Sequence, residues 1–118
     1  RLVRCICTHC KESYEPSDKE LKQLGVLRGT LKENRFFRGK GCNACFFSGY
    51  KGRHGIYELM RVSHAIKRQL TKNADALELR EIALKEGMIS LRASGAILLA
   101  QGITSFEEIL RVTRSADI

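Results

Sequence analysis

The stretch GCNACFFSGYKGRHGIYEL, residues 41–59, decides the fold, because it holds a C-x2-C pair set between glycines. A matching pair, Cys7 and Cys10, lies near the start of the chain, and 31 residues separate it from the second pair, Cys42 and Cys45. Two such pairs place four sulfurs on two tight turns. That is the arrangement of a tetrahedral zinc site, in which each sulfur lies about 2.3 Å from the ion.

The residues around the cysteines agree with a metal site. Gly41 precedes the second pair and Gly49 follows it. Glycine adopts left-handed backbone conformations at little cost, so we expect the amides of these turns to point at the sulfurs. Four thiolates with one zinc ion leave a negative site, and basic residues flank it. These flanking residues are Arg4, Lys11, Lys40, Lys51 and Arg53.

The cysteine pattern favours a structural zinc site over three alternatives. Two disulfides would leave an odd cysteine, and nothing marks the chain as secreted. A redox-active C-x2-C pair is expected between a strand and a long helix, which neither pair matches. A catalytic zinc site keeps an open coordination position, whereas four cysteines fill the shell. His9 and His54 are therefore interpreted as structural, and we predict no catalytic residue.

Cys5 is the fifth cysteine. On an extended backbone its side chain would point to the same face as that of Cys7, so it is an alternative ligand in place of Cys7. We interpret it as a small buried apolar side chain near the start of the module.

The 118 residues carry a net charge of +8, and residues 1–60 account for +6 of it. A basic half is typical of proteins that bind nucleic acid or anionic lipid. Basic and aromatic residues alternate here, so a stand-alone zinc-ribbon nucleic-acid-binding protein is the alternative function. The residues concerned are Arg35, Phe36, Phe37, Arg38, Lys40, Phe46, Phe47, Tyr50, Lys51 and Arg53.

Two features of the sequence concern membrane insertion and the start of the chain. The longest uncharged apolar run, residues 95–100, is far shorter than the roughly 20 residues that span a bilayer, so we expect no transmembrane helix. The chain begins at Arg1 without a methionine or a signal-peptide pattern. We therefore expect a piece of a longer protein, or a protein whose leader has been removed.

Short strands and one helix are predicted in the first half. Ser17 and Glu20 form a capping box for a helix that ends at Gly25, and residues 28–34 read as a loop. Strands are predicted at residues 35–38 and 54–60, the second with Ile56 and Met60 on one face.

Four short helices are predicted after residue 62. Capping residues open them, glycines close two of them, and Glu107 and Glu108 lie where they favour the helix dipole. The caps are Ser63, Asp75 with Glu78, Ser90, and Thr104 with Glu107; the closing glycines are Gly87 and Gly102. The residues predicted to be buried are Ile66, Leu70, Phe106, Ile109 and Leu110, and His64 is predicted to be exposed. The second helix has Leu79, Ile82 and Ala83 on one face, and the third carries Leu91, Leu98 and Leu99.

The predicted fold class is α+β. A small tetracysteine zinc module with short strands, residues 1–62, is followed by a small helical domain, residues 63–118. Neither part has much apolar material, and zinc binding supplies on the order of 10 kcal/mol to the folding of such a module.

Motifs spread along the whole chain resemble the C-terminal region of the secretion ATPases, the hexameric motors of type II secretion and type IV pilus assembly. The most specific is SGYKGRHGIYEL, residues 48–59, directly after a C-x2-C pair. The others occur in the expected order. They are RLVR (1–4), ELR (78–80), EGM (86–88), SLR (90–92), GITS (102–105) and EEILRVT (107–113).

The resemblance implies what the residues alone do not. It implies that Cys7, Cys10, Cys42 and Cys45 bind zinc, and that a RecA-like domain upstream of Arg1 carries the ATP and magnesium sites. The chain itself contains no G-x4-G-K-[ST] phosphate loop, so we expect it not to hydrolyse ATP alone.

The expected partners are the chain's own RecA-like domain, neighbouring protomers and inner-membrane platform proteins, and nucleic acid is not expected. The expected location is the cytoplasm, at the inner membrane through partners. Tyr50, Lys51 and Arg53 are candidate contact residues, with support of the cysteine turn as the competing interpretation.

Overall fold

The computed structural model describes residues 1–24 and 35–113, which form four short strands and five α-helices. The mixture of short strands and helices is the one that the sequence predicts. In chain order the elements are β1 (Leu2–Ile6), β2 (Lys11–Tyr14), α1 (Asp18–Gln23), β3 (Phe36–Gly39), a 3-10 turn (Asn43–Cys45), β4 (Tyr50–Gly55), α2 (His64–Thr71), α3 (Ala76–Lys85), α4 (Leu91–Ala100) and α5 (Phe106–Val112).

The strands form two antiparallel pairs. Strand β1 pairs with β4, placing Arg4 opposite Arg53, and the register shifts between Arg4 and Ile6. Strand β2 pairs with β3, placing Tyr14 opposite Phe36. The strand predicted at residues 35–38 is therefore confirmed as β3. The two pairs bring the chain segments that carry the cysteines side by side.

The strand predicted at residues 54–60 is wrong. Strand β4 covers Tyr50–Gly55, and only Ile56 of the following apolar residues is buried, whereas Tyr57 is 72% exposed and Leu59 84%. The apolar alternation after residue 55 resembles a strand. Strand β4 itself is polar. Its position is determined by backbone hydrogen bonds to β1 and not by apolar side chains.

The helix signals are largely confirmed. Ser17, Ser63, Asp75 and Ser90 each cap a helix, and Ser17 and Glu20 form the predicted capping box. Gly87 and Gly102 follow their helices with φ of 99° and 73°. His64 is exposed, as predicted. The predicted helix end at Gly25 and the loop at 28–34 lie outside the described residues.

Two helix predictions are wrong. Leu70 is 49% exposed, because α2 packs mainly on α3 and buries Ile66 there. The cap of α5 is Ser105, whose side chain accepts a hydrogen bond from the Glu108 amide at 3.2 Å. Thr104 is instead buried and donates to the carbonyl oxygen of Arg4 at 2.8 Å. A tertiary hydrogen bond thus engages the hydroxyl that the sequence pattern assigned to the cap.

One apolar core joins the first and second halves of the described chain. The rings of Phe36 and Phe106 stack with centroids 5.8 Å apart. Buried Arg92 donates to the Gln23 carbonyl oxygen at 3.1 Å and to the Thr113 hydroxyl at 2.9 Å. The core residues are Val3, Leu21, Leu24, Phe36, Ile56, Leu91, Leu98, Leu99, Phe106, Ile109 and Val112. This core crosses residue 62, and the division into two domains there stays a prediction.

Candidate metal centre

Four cysteines come together where two turns meet. Cys7 and Cys10 lie on the turn from β1 to β2, and Cys42 and Cys45 bound the 3-10 turn between β3 and β4. Their four sulfur atoms all lie within 4.8 Å of one another. Cys7 and Cys45 are buried, and the other two are half-buried. The pairing of β2 with β3 brings the two turns together.

The sulfur–sulfur distances fit a tetrahedral ion. Sγ of Cys7 lies 3.8 Å from that of Cys42, and Sγ of Cys10 lies 3.9 Å from that of Cys45. The sulfurs of Cys42 and Cys45 are 3.8 Å apart. Bonds of about 2.3 Å to a tetrahedral zinc ion separate its ligand sulfurs by about 3.8 Å, which matches these three separations.

Backbone amides point at two of the sulfurs, as the flanking glycines predict. Gly49 donates to Sγ of Cys45 at 3.2 Å and Gly41 to Sγ of Cys10 at 3.3 Å. The Cys42 amide also donates to Sγ of Cys45, at 3.3 Å. Gly41 has φ of 99° and Gly49 of 82°, so both need the left-handed backbone. N–H donors aimed at sulfur stabilise thiolates, the form that binds metal.

The same hydrogen bonds contribute to a difference in pKa between the thiols of Cys45 and Cys10. Burial opposes ionisation of Cys45, but the amides of Cys42 and Gly49 outweigh it and lower its pKa to about 6. Burial raises the pKa of Cys10 to about 11, against the single amide of Gly41. The backbone amides thus favour the ionised form of Cys45 over that of Cys10.

Two glycines let the backbone on the two sides of the second cysteine turn approach closely. A Cβ atom on Gly39 would overlap the carbonyl oxygen of Gly49, so the two backbones touch. That carbonyl accepts a hydrogen bond from the Cys7 amide at 2.9 Å, and the Lys40 amide donates to the Cys10 carbonyl at 3.1 Å. The turns are thus fixed by main-chain contacts as well as by the cysteines.

The remaining candidate ligands lie apart from the four sulfurs. Cys5 is half-buried in β1 and is not part of the group, and burial raises the pKa of its thiol. His9 and His54 are both exposed, and Nδ1 of His54 lies 2.9 Å from the Gly55 carbonyl oxygen. Among the described residues, the four cysteines are therefore the one cluster of three or more potential metal ligands.

The three candidate contact residues have different surroundings. Tyr50 is half-buried, its hydroxyl lies 2.5 Å from that of Ser105, and the Arg4 guanidinium lies 4.1 Å from its ring centre. Tyr50 thus joins β4 to the start of α5. Lys51 and Arg53 are both exposed. Whether any of the three contacts a partner stays a prediction.

Glu108 is a buried carboxylate that connects the two halves of the chain. From the sequence it was predicted only to interact favourably with the helix dipole. Glu108 is 1% exposed and binds Arg4 of β1 and Arg111 of α5, with distances of 2.8–3.0 Å. Burial opposes its ionisation, but these hydrogen bonds lower its pKa to about 2. The S-x-x-E spacing of Ser105 and Glu108 could have identified Ser105 as the cap of α5. Thr104 and Glu107 have the same spacing one residue earlier, and the prediction followed that pair instead.

Comparison with known proteins gives the class of the chain. Residues 1–111 match the family model described as type II/IV secretion system protein. The chain belongs to this family, as the sequence motifs indicate.

Particular relatives carry more specific names. The chain is 40% identical over 113 residues to the type IV pilus assembly ATPase PilB of Thermus thermophilus, and 39% over 114 residues to PilB of Pseudomonas aeruginosa. It is 38% identical over 117 residues to the type II secretion system ATPase E of Vibrio cholerae. These alignments cover 96–98% of this chain but 13%, 20% and 22% of the relatives. The chain thus spans about a fifth or less of their length.

The helices are short. Within residues 1–24 and 35–113, no helix combines the length and the apolar character needed to cross a membrane.

Proposed function

We propose that this chain is the C-terminal, non-catalytic part of a hexameric secretion or pilus-assembly motor ATPase, stabilised by a structural zinc ion. The ligands in this proposal are Cys7, Cys10, Cys42 and Cys45. The observation that carries it is the group of four sulfurs within 4.8 Å of one another, three of whose separations are 3.8–3.9 Å, as suits a four-thiolate zinc ion. Four protein ligands leave no position for a substrate or water, so the ion would be structural.

The family and the length of the relatives support the placement in a motor. Matched relatives are named as ATPases and are several times longer than this chain. The chain's own sequence holds no phosphate loop. In our proposal, ATP and magnesium bind to a RecA-like domain upstream of Arg1, and the zinc module transmits or receives force through its surface.

Exposed apolar residues support contacts with the rest of the motor. Tyr57 is 72% exposed, Leu59 84% and Val62 50%, all within the segment that joins β4 to α2. We propose that this face packs on the RecA-like domain or a neighbouring protomer. Lys51 and Arg53 are proposed contacts with inner-membrane platform proteins, which would hold the motor at the cytoplasmic side of the membrane.

A stand-alone nucleic-acid-binding role is weaker. Phe36 is fully buried and Phe37 is half-buried beside Lys11, while Phe46 and Phe47 are the exposed phenylalanines of the proposed stacking set. A salt titration with single- and double-stranded oligonucleotides tests it. Absence of binding at low salt eliminates this role, and affinity that falls steeply with salt would favour it.

Zinc analysis of two cysteine variants tests the ligand set. Cys45→Ser should lose stoichiometric zinc and the fold of the cysteine turns. Cys5→Ser, the matched control, should keep one zinc ion per chain and its fold. Zinc retained in full by Cys45→Ser would show that the four-ligand assignment is wrong.

The upstream reading frame tests the placement in a motor. A phosphate-loop motif roughly two hundred residues before Arg1 would support it, and purified chain alone should then hydrolyse no ATP. A reading frame that starts near Arg1 without this motif would contradict the proposal. The chain would then share only this module with the secretion ATPases.

A further inference from the structure

Three arginines surround one open cavity on the face of the β1–β4 pair. The cavity has a volume of about 530 Å³ and is lined by Leu2, Val3, Arg4, Arg53 and Arg111. Arg4 and Arg53 stand directly opposite each other in the strand pairing. Arg111 reaches the same cavity from α5. The arginines therefore approach from three separate elements.

The charges around this cavity do not balance. Glu108 neutralises one of the two arginines that it binds, Arg4 and Arg111, and these remain 46% and 55% exposed. Arg53 is exposed and makes no side-chain hydrogen bond or ion pair with any described residue. Among the described residues that line the cavity or bind its arginines, three guanidinium groups stand against one carboxylate, an excess of two positive charges. Like charges directly opposite on paired strands destabilise a sheet, so a bound anion would convert a repulsion into an attraction.

Donor atoms remain available on all three arginines among the described contacts. Arg4 uses its Nε and Nη2 for Glu108, and so does Arg111, which leaves Nη1 of each without a partner among the described residues. The fixed orientation imposed by Glu108 presents these atoms with little further loss of side-chain freedom. Arg53 adds its whole guanidinium. Several N–H donors from arginine match the oxygens of a phosphate group better than a single carboxylate.

We propose that Arg4, Arg53 and Arg111 form a binding site for a phosphate group, with Glu108 as the residue that positions two of them. The site is separate from the four cysteines and does not rest on the proposed function. The phosphate would belong to a free ion, a nucleotide or a lipid headgroup, all of which share this chemistry. Arg53 is the residue whose contribution is specific to the ligand, because its side chain has no hydrogen-bond or ion-pair partner within residues 1–24 and 35–113.

A phosphate titration of the zinc-loaded chain at constant ionic strength tests the site. Arginine Nε–Hε signals in NMR spectra should shift with saturation on addition of inorganic phosphate. Arg53→Gln should weaken binding at least tenfold without disturbing the amide spectrum, since the Arg53 side chain makes no hydrogen bond or ion pair with the residues that the structure describes. Lys51→Gln removes the same charge two residues away, outside the cavity lining, and should change binding less than twofold.

The source of the phosphate follows from the same pair of variants. Tighter binding of ADP than of inorganic phosphate, lost in Arg53→Gln, would assign the site to a nucleotide. Arg53-dependent binding to phosphatidylglycerol vesicles would assign it to a lipid, and a response to inorganic phosphate alone to the free ion. Equal weakening by Arg53→Gln and Lys51→Gln, or no saturable response to any probe, would overturn the proposal.

Discussion

Arg4 and Glu108, 104 residues apart in sequence, are joined by three hydrogen bonds. The Arg4 amide donates to Oε2 at 2.8 Å, and its Nε and Nη2 donate to Oε1 at 3.0 and 2.8 Å. This pair attaches α5 to β1, the strand that leads into the first cysteine turn. Glu108 is thus one of the contacts by which the last described helix supports the strand that leads to the candidate metal centre.

Glu108→Gln is expected to destabilise the chain by about 2–3 kcal/mol. The buried amide would offer one uncharged acceptor oxygen to the guanidinium groups of Arg4 and Arg111, in place of two carboxylate oxygens. Urea unfolding measures the difference. Glu107→Gln is the matched control, since its side chain is exposed on the same helical turn, and it should cost about 0.5 kcal/mol or less. Equal losses in the two variants would contradict the role assigned to Glu108.

Stability should fall in acid in a way that depends on Glu108. Its pKa in the folded chain is lowered to about 2 from an ordinary value of 4.5, so its contribution is complete above pH 4.5. The contribution is lost as the pH falls from 4.5 towards 2.

The measurement is the free energy of unfolding of wild type and Glu108→Gln between pH 6 and pH 3. Their difference isolates this carboxylate, because any metal held by the cysteines in our proposal would be lost in acid from both proteins alike. The difference should narrow as the pH falls. A constant difference over this range would show that Glu108 does not titrate as described.

Gly39→Ala should disrupt the closure of the second cysteine turn at its base, where Gly39 and Gly49 meet. The added methyl group would overlap the Gly49 carbonyl oxygen, and we expect a cost of about 3 kcal/mol together with weaker zinc binding. Gly52→Ala is the control, because its φ of 87° is unfavourable for alanine but a Cβ there meets no atom within 4 Å. Its cost should be about 1 kcal/mol. Thermal unfolding and zinc competition with a chelator would measure both effects, and a milder effect at Gly39 than at Gly52 would refute the close approach.

Local signals in the sequence were sufficient for much of the fold. Side-chain caps such as Ser63 and Ser90 depend on residues three positions away, so they can be read without tertiary information. The meeting of Cys7, Cys10, Cys42 and Cys45 followed from spacing alone, since paired thiols on two turns have few ways to be satisfied. Gly41 and Gly49 were likewise identified from the backbone geometry that such turns need.

Signals that depend on tertiary contacts were missed. Strand β4 lacks apolar alternation because its partner β1 selects it through the main chain, and residues 54–60 imitated a strand in its place. Ser105 replaced Thr104 as a cap because Arg4 engages the Thr104 hydroxyl. The burial of Glu108 depends on two arginines, one of them far away in sequence, and no local pattern distinguishes it from Glu107.

The coordination of the bound metal tests the central claim most directly. X-ray absorption at the zinc edge of the purified chain should give one shell of four sulfur atoms at about 2.3 Å, matching the four-cysteine geometry. A shell with nitrogen or oxygen ligands, or a chain without zinc whose cysteines are joined in disulfides, would contradict the account of these four residues as a structural zinc site.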